Sequence, residues 1–597
     1  MTATRVKYAE LVIDWLREAG YTHCFFVAGG NIMHLLDGAR SRLTCVPVVH
    51  EVAAGIAVEY FNESGGPGRA FAMVTAGPGI TNIVTALGGA WLESRELLVL
   101  GGQVKSSDLA TGGVRQRGIQ EIDGVAVAKP LCVLSERVEE PWSKQRIMSA
   151  VAKGRQGRPG PVFLEFCLDA QGAPVDRAEM ESDYAGVEVG PGAAAVAAAR
   201  EAAPSVAALT ASAERPIWLI GGGVSRATAT RVREALRTRG IPTMTTWNGA
   251  DRVGSDDPYY AGRPNTWGQR AANALVAQAD VVVALGTRLG LQQTGFNWQE
   301  WAQGATVVQV DIERAELEKG HPRVDHAICA DANALLIDLC ARDYPKFDPW
   351  VDHVRKVRSL LPVDEPWNET HDGFVDPYRF YLSLSEMTGA DDIVIPCSSG
   401  GANSVGMQAF NPTFGQVVIT DKGLASMGYG LSGAMGAAFA WPDRRTIVVE
   451  GDGGFIQNMQ ELATVAVNDL NLKIFIFANE GYGSIRMTQK NYFGGAYLGC
   501  DTATGLGFPD WEPLFKCFGI PVMTLDASGL AADGVRDAMN ERGPHGFIVP
   551  VDPLQTYWPK ITSRITATGS MESAPLHKMS PDLPDDLEHE VFRYLAP

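Results

Sequence analysis

Near-continuous apolar strands alternate with helix-patterned segments along most of this chain, and the alternation recurs in three blocks. The run at 70–74 ends in a Gly-Pro turn before a helical segment, PIWLI at 216–220 opens the second block, and RTIVVE at 445–450 lies in the third. Strands buried on both faces by helices have this continuous apolar character, which is typical of parallel sheets. The sequence therefore predicts an α/β protein with three domains, each built on a parallel central sheet.

Changes in composition predict where the domains end. We expect an N-terminal domain at 1–185, a middle domain at 190–345, a linker rich in Pro, aromatic and charged residues at 346–374, and a C-terminal domain at 375–559. The tail at 560–597 has two interpretations, a lid over the active site or a disordered terminus.

The charge balance excludes several classes of partner. Lys and Arg number 51 against 69 Asp and Glu, a net charge of −18. Nucleic acids and anionic membranes both favour a protein of the opposite charge, so neither is expected as a partner.

Two long uncharged stretches do not predict a membrane span. The stretch at 70–92 is interrupted by a turn with glycine, and the stretch at 423–442 is rich in glycine. Without a signal-peptide pattern, the prediction is a cytoplasmic protein.

The strongest chemical signal is the turn after RTIVVE, formed by Gly451, Asp452, Gly453 and Gly454. The next predicted strand ends at Asn479, so Asp452 and Asn479 should meet at the carboxyl edge of one parallel sheet, where ligands bind. Their oxygens and a backbone carbonyl near Gly481 are the hard ligands that Mg²⁺ prefers. The glycines would let phosphates approach the backbone. A plain turn is the alternative interpretation.

This strand–turn–helix–strand unit resembles the motif that anchors the metal and diphosphate in thiamine-diphosphate (ThDP) enzymes. FVAGGN, AGPGITN and GGQV in the first block are similar to the three-domain branch that contains acetohydroxyacid (acetolactate) synthase, pyruvate oxidase and benzaldehyde lyase. The resemblance covers nearly the whole chain. It implies the ThDP-binding fold with pyrimidine, middle and diphosphate domains, and ThDP and Mg²⁺ as cofactors.

The resemblance also implies roles for residues around the cofactor. Glu51, in a His-Glu pair at a helix start, would exchange a proton with the aminopyrimidine of a cofactor held across a subunit boundary; a residue that only stabilises the helix dipole is the alternative. Met427 would wedge the cofactor into a bent conformation, or else be an ordinary core residue. The diphosphate would be touched by the loop of Gly400, Gly401 and Ala402.

Other positions would face the substrates. By the resemblance, Gln120 lies near the reacting carbonyl and Gly29 offers a backbone N–H, although Gln120 also fits a solvated loop. The acceptor pocket would include Ser484, Ile485 and Thr488. Acetolactate synthase has a Trp at the position of Thr488, where it selects a keto-acid acceptor, so this chain leaves room for a different acceptor.

The middle domain is similar to the FAD-binding domain of acetolactate synthase and pyruvate oxidase. We expect FAD in a structural role, with a vestigial domain whose glycines are only turns as the alternative. The residues that correspond to the FAD cradle are Gly221, Gly222, Gly223, Thr246, Gly286, Arg288, Asp311 and Ile312.

The resemblance implies a ThDP-dependent carboligase that decarboxylates a 2-keto acid, pyruvate in the first place. It then adds the activated aldehyde to a ketone, aldehyde or keto-acid acceptor. VRQRGIQE at 114–121 is similar to carboligases that form branched-chain sugars. The alternatives are a pyruvate oxidase, a lyase acting on 2-hydroxyketones or diketones, and a non-catalytic regulatory subunit. A homodimer or homotetramer with active sites at the subunit interface is expected.

Overall fold

Three six-stranded parallel sheets organise the molecule, as seen in a computed structural model that describes residues 5–565 and 569–595. Helices cover both faces of each sheet, and the prediction of three α/β domains with parallel sheets is confirmed. Within the described residues, no helix has both the length and the apolar character needed to cross a membrane.

The N-terminal domain is built on strands β2–β7, with the short strands β1 and β8 pairing antiparallel beside them. Its strands are β1 Arg5–Lys7, β2 Tyr21–Phe26, β3 Thr44–Pro47, β4 Arg69–Val74, β5 Leu97–Gln103, β6 Leu134–Val138, β7 Pro161–Cys167 and β8 Pro174–Asp176. Its helices are α1 Tyr8–Glu18, α2 Met33–Ala39, α3 Glu51–Glu63, α4 Pro78–Glu93, α5 Gly124–Ala128, α6 Lys144–Lys153, α7 Leu168–Gly172 and α8 Arg177–Glu181.

The middle domain has a sheet of six short strands. These are β9 Pro216–Ile220, β10 Thr243–Thr245, β11 Tyr260–Gly262, β12 Val281–Leu285, β13 Thr306–Asp311 and β14 His326–Cys329. Its helices are α9 Ala193–Ser212, α10 Arg226–Arg239, α11 Arg270–Gln278, α12 Leu291–Thr294, α13 Arg314–Leu317, α14 Ala332–Cys340 and α15 Asp348–Leu360.

The C-terminal domain again has six strands, followed by a folded tail. The strands are β15 Ile393–Ile395, β16 Val417–Val418, β17 Thr446–Gly451, β18 Leu472–Ala478, β19 Val522–Thr524 and β20 His545–Pro550, with β21 Ser563–Ile565 and β22 Met571–Ser573 in the tail. The helices are α16 Pro377–Met387, α17 Gly400–Ala409, α18 Tyr429–Ala440, α19 Asp452–Phe455, α20 Leu462–Val467, α21 Gly483–Phe493, α22 Trp511–Cys517, α23 Val535–Asn540 and α24 Asp585–Val591.

Strand order separates the middle domain from the other two. Counting the six strands of each sheet along the chain, the N- and C-terminal sheets both have the order 2-1-3-4-6-5, whereas the middle sheet has the order 3-2-1-4-5-6. In each sheet, successive strands are first added on one side of strand 1 and then on its other side. Ligands of open α/β sheets bind at such a switch point. The middle order is the one found in dinucleotide-binding domains.

The N- and C-terminal domains of one chain pack together through α3 and α18. A side chain at Gly436 would lie 2.0 Å from the Ala57 carbonyl oxygen, and one at Gly433 would lie 2.6 Å from the Tyr60 ring. These glycines let the two helices approach closely, so the domain that carries Glu51 is held tightly against the domain that carries Asp452.

Three segments have structural features that the sequence patterns did not define. The expected linker at 346–374 contains α15, which packs into the middle-domain core through Trp350 and Val354. The tail folds onto the middle domain, where Arg270 donates to the carbonyls of Met579 and Pro581, so the described part of the tail is ordered. The helix of the strand–turn–helix–strand unit after Asp452 is divided into α19, a 3-10 turn and α20.

Candidate active site

Asp452 lies where the C-terminal sheet changes direction, at the carboxyl end of β17. Its Oδ1 accepts the backbone N–H of Gly453 at 2.7 Å and its Oδ2 accepts that of Asn479, which follows β18, at 2.9 Å. The side chain is 1 % exposed. The structure therefore brings Asp452 and Asn479 together at one edge, with the carboxylate held in a fixed orientation.

The geometry of these residues fits a divalent cation. With its amide oxygen facing inward, Asn479 places that oxygen 2.8 Å from the Gly481 carbonyl oxygen and 3.1 Å from Asp452 Oδ1. Adjacent oxygens in a magnesium octahedron lie about 3 Å apart, since each is about 2.1 Å from the metal. The converging oxygens repel one another unless a cation lies between them or the amide turns over to donate to both. The residues present thus match the oxygen set that Mg²⁺ requires.

Two buried carboxylates lie at this edge without a basic partner among the described residues. Burial raises the pKa of Asp452 to about 6 and the pKa of Glu450 to about 7, although backbone N–H groups hydrogen-bond both and lower it in part. Glu450 accepts from the N–H groups of Gly430 and Leu431 at the start of α18. A bound cation would stabilise the ionised form of Asp452.

The loop of Gly400, Gly401 and Ala402 lies across the switch point from Gly451, after β15 and at the start of α17. Gly400 has a φ of +72°, and a side chain at Gly400 or Gly451 would meet no atom within 4 Å. A side chain at Gly401 would collide with the Tyr557 ring, and one at Gly453 with the Tyr482 ring. The two glycine turns therefore face open space at Gly400 and Gly451.

Met427 lies in a segment fixed by acidic side chains from two domains. Glu93 Oε1 accepts the N–H of Lys422 at 2.6 Å and also that of Gly423, while Asp421 Oδ1 accepts those of Leu424 and Ala425 at 3.1 Å. Met427 itself is 37 % exposed. In the single chain the side chain is therefore not enclosed in the core, and its sulfur accepts from Gln457 Nε2 at 3.6 Å.

Glu51 begins α3 and is held from two directions. Asn82 Nδ2 on α4 donates to Glu51 Oε2 at 2.9 Å, and the carboxylate is 7 % exposed. Glu461 of the C-terminal domain accepts the N–H groups of Val49 and His50 just before the helix, at 3.0–3.3 Å. These contacts fix both the start of α3 and the direction of its first side chain.

Gly29 and Gln120 lie at the same edge of the N-terminal sheet as Glu51. Gly29 follows β2 and faces Thr75, and Gln120 lies on an exposed loop that packs its backbone against Gly77. Gln120 has a φ of +61°. Among the described residues, no hydrogen bond or ion pair joins these groups to Asp452 of the same chain.

Helix α21 carries the expected acceptor residues. Ile485 and Thr488 are exposed, and Thr488 Oγ1 donates back to the Ser484 carbonyl at 2.9 Å. Arg486, on another face, is buried and donates to the carbonyls of Pro553, Asn479 and Glu480. Arg486 thus ties α21 to the loop that follows β18.

The residues expected to cradle FAD lie at the carboxyl edge of the middle sheet. Gly223 N–H donates to the Gly286 carbonyl at 2.9 Å, and a side chain at Gly221 would lie 2.3 Å from that carbonyl oxygen. Thr246 follows β10, and Asp311 and Ile312 lie at the end of β13. Gly222 is exposed, and the Arg288 guanidinium makes no hydrogen bond or ion pair to any described residue. This open edge with an unpaired cation fits a dinucleotide diphosphate.

Four polar residues that shape the site were not identified from the sequence. Asn82, Glu461 and Arg486 act through partners that are distant in the chain or on another element, and no local pattern marks them. Glu450 does have a signal, because a carboxylate at the end of the apolar run TIVVE is unusual in a buried strand.

Replacing Glu461 by Gln tests its role in holding the start of α3. The amide retains one acceptor oxygen but puts an NH₂ group in place of the other, where the carboxylate accepts from the Val49 N–H and the Thr464 hydroxyl. The free energy of unfolding should fall by about 1–3 kcal/mol, and the amides of Val49 and His50 should exchange faster with deuterium. Denaturant unfolding and hydrogen exchange measure the two effects.

The matched control is Glu386→Gln, at an exposed position on α16. It should leave both measurements unchanged. Equal protection of Val49 and His50 in the Glu461 variant and in the original protein would contradict the role assigned to Glu461.

Comparison with protein families gives matches in all three domains. The model described as the thiamine pyrophosphate enzyme N-terminal TPP binding domain matches residues 6–127, the central-domain model matches 204–339 and the C-terminal TPP binding domain model matches 399–549. Together the matched regions cover more than half of the chain.

Similar proteins extend this match over nearly the full length. The chain is 31% identical over 584 residues to the acetolactate synthase isozyme 2 large subunit of Escherichia coli, covering 96% of this chain and 100% of that protein. It is 29% identical to the isozyme 1 large subunit of the same organism, covering 94% and 97%. It is also 29% identical to a probable acetolactate synthase large subunit of Methanocaldococcus jannaschii, covering 92% and 93%.

Proposed function

Because the chain belongs to the thiamine pyrophosphate enzyme family and is a carbon–carbon bond-forming member of its acetolactate synthase-like branch, we propose that it decarboxylates a small 2-keto acid, with pyruvate as the simplest donor. The remaining acyl-derived carbon then forms a bond to the carbonyl carbon of an acceptor, whose oxygen takes up a proton. The observation that carries this proposal is the convergence of oxygens from Asp452, Asn479 and Gly481 at the switch point of the C-terminal sheet.

The C-terminal domain would bind the metal ion and the diphosphate of the cofactor. Asp452, Asn479 and the Gly481 carbonyl would hold Mg²⁺, and the turns at Gly400–Ala402 and Gly451–Gly454 would leave space for the diphosphate. Met427 would support the bent form of the cofactor. Thiamine diphosphate, when bound, supplies the carbon nucleophile and the electron sink for decarboxylation.

Glu51 is proposed to move a proton at the aminopyrimidine of the cofactor. Its carboxylate is nearly buried and receives one hydrogen bond from Asn82, so its orientation is set before a ligand arrives. Gln120 and the Gly29 N–H are proposed to face the reacting carbonyl from the same edge. A dry pocket around them would strengthen these polar interactions.

Two copies of the chain are proposed to build each active site. Glu51 and Asp452 of one chain are not joined by a hydrogen bond or ion pair among the described residues, and apolar side chains are exposed near both edges. Ile119 beside Gln120 is 85 % exposed, and Phe493 at the end of α21 is 66 % exposed. A homodimer or homotetramer would bury such side chains and bring the Glu51 edge of one subunit to the Asp452 edge of another.

FAD is proposed to bind the middle domain in a structural role. The support is the strand order 3-2-1-4-5-6, the exposed Gly222 turn and the unpaired Arg288 at the switch point. Arg288 would pair with the diphosphate, and Asp311 lies at the end of β13 on the same edge of the sheet.

Product analysis tests the proposed reaction. The protein is incubated with ThDP, Mg²⁺ and pyruvate, alone and with ketones, aldehydes and keto acids, and CO₂ and products are followed by mass spectrometry. A product larger than the acceptor by one acetyl unit is expected, together with flavin released on denaturation of the purified protein. CO₂ with acetate or acetyl phosphate and reduced flavin would identify an oxidase, and cleavage of added 2-hydroxyketones or diketones without ligation would identify a lyase. Inertness towards all of them would contradict the proposal.

A further inference from the structure

The ammonium group of the buried Lys560 contacts two aromatic rings and a thioether. Only 6 % of its surface is exposed. Its Nζ lies 4.5 Å from the centre of the Trp558 ring, 5.3 Å from that of Trp267 and 2.8 Å from Met487 Sδ. No carboxylate or carbonyl oxygen of the described residues accepts a hydrogen bond from this ammonium group.

Other buried cations of the protein differ in this respect. Lys473 is fully buried, but its Nζ donates to the carbonyls of Glu541 and Gly543 at 2.6 and 2.7 Å. Arg263 donates to the carbonyls of Met407 and Phe410. A buried charge is costly unless it is hydrogen-bonded or paired, so Lys560 stands out because it lacks an oxygen partner.

The surroundings of Lys560 are rigid. The backbone N–H and carbonyl of Lys560 both hydrogen-bond to the backbone of Ser580. The Pro559 carbonyl accepts from Gln408 Nε2 at 2.8 Å. Asn368 binds both the N–H and the carbonyl of Trp558. Trp267, Trp558 and Met487 are each partly exposed and surround the more deeply buried ammonium group. The arrangement is therefore a preformed, partly open cage.

The cage also lies beside the expected substrate helix. Met487 is on α21 between Ser484 and Thr488, and Tyr557, three residues before Lys560, packs against Gly401 of the proposed diphosphate loop. From this placement and the missing oxygen partner, we propose that the Lys560 cage binds an oxyanion, the carboxylate or phosphate group of a substrate. Its assignment to a substrate rests on the proposed function.

Protonation should control this binding. Burial alone lowers the pKa of Lys560 to about 8, and no charged group from α21, the middle domain or the tail contributes to the shift. A bound anion requires the ammonium form, so apparent affinity should fall about tenfold for each pH unit above pH 8. Pyruvate suits this measurement because its carboxylate does not titrate in that range.

The test is calorimetric titration of the full-length protein, without and with ThDP and Mg²⁺, using pyruvate, inorganic phosphate and neutral methyl pyruvate. Pyruvate, phosphate or both should bind, and methyl pyruvate should not occupy the cage. Lys560→Met should lower anion affinity at least about tenfold, whereas Lys490→Met, at an exposed position on α21, should leave it unchanged. Binding of pyruvate alone would identify a carboxylate subsite, and binding of phosphate alone a phosphate subsite.

A second measurement guards against a merely structural effect. Because Met has a similar length and no charge, the Lys560→Met variant should still fold. Below pH 8 its unfolding temperature should be higher than that of the original protein. Added anion should reduce this difference in unfolding temperature, because it stabilises only the protein that retains Lys560. Anion affinity that is the same in the Lys560 and Lys490 variants, or no binding to any of the proteins, would overturn the proposal. Anion binding that depends on Lys560 in a protein that forms no product would instead contradict the proposed function.

Discussion

Replacing Asp452 by Asn is expected to abolish magnesium-dependent binding of ThDP and to lower kcat/KM at least about 1,000-fold, which corresponds to about 4 kcal/mol. The reason is that Asp452 supplies the only carboxylate among the converging oxygens, and its other oxygen accepts the Asn479 N–H. An amide carries no charge to balance the metal, and its NH₂ group would oppose one of two backbone N–H donors. Equilibrium binding of ThDP with varied Mg²⁺, followed by steady-state kinetics, measures both losses.

The matched control for this variant is Asp443→Asn, on the surface of the same domain, where the side chain of Asp443 is 90% exposed. It should bind ThDP and turn over as the original protein does. Magnesium-dependent cofactor binding that is unchanged in the Asp452 variant would show that the metal is held elsewhere.

Replacing Glu51 by Gln is expected to lower kcat by about 100- to 10,000-fold, the range typical of losing a general acid–base group, while ThDP binding stays close to normal. Gln preserves the shape of the side chain and one oxygen that can accept from Asn82, but it cannot take up or release a proton. Measuring kcat and the ThDP dissociation constant separately distinguishes this pattern from that of the Asp452 variant.

Glu179→Gln is the control for helix-dipole effects, since Glu179 is an exposed acidic residue in the first turn of α8. It should have normal kinetics. If Glu51→Gln also has a normal kcat, then Glu51 only stabilises the start of α3, which is the alternative that the sequence left open.

The meeting of Asp452 and Asn479 at one sheet edge was predictable because their elements are adjacent in the chain. The Asp452 turn ends one strand and Asn479 follows the next, and the carboxyl ends of neighbouring parallel strands meet. The structure reproduces this meeting and adds the detail that one amide atom of Asn479 lies 2.8 Å from the Gly481 carbonyl oxygen and 3.1 Å from Asp452 Oδ1. Local helix lengths were harder to predict, as the broken segment after Asp452 shows, because packing against neighbouring domains overrides helical periodicity.

The sequence by itself determined the three α/β domains, their parallel sheets and the residue types at the carboxyl edges, because strand and turn patterns are local. Only the tertiary structure decided which distant groups meet there. Glu461 reaches the N–H groups of Val49 and His50, and Trp267 comes to lie over the ammonium group of Lys560. Those contacts depend on how whole domains dock, and docking is set by complementary surfaces assembled from many segments rather than by any one stretch of sequence.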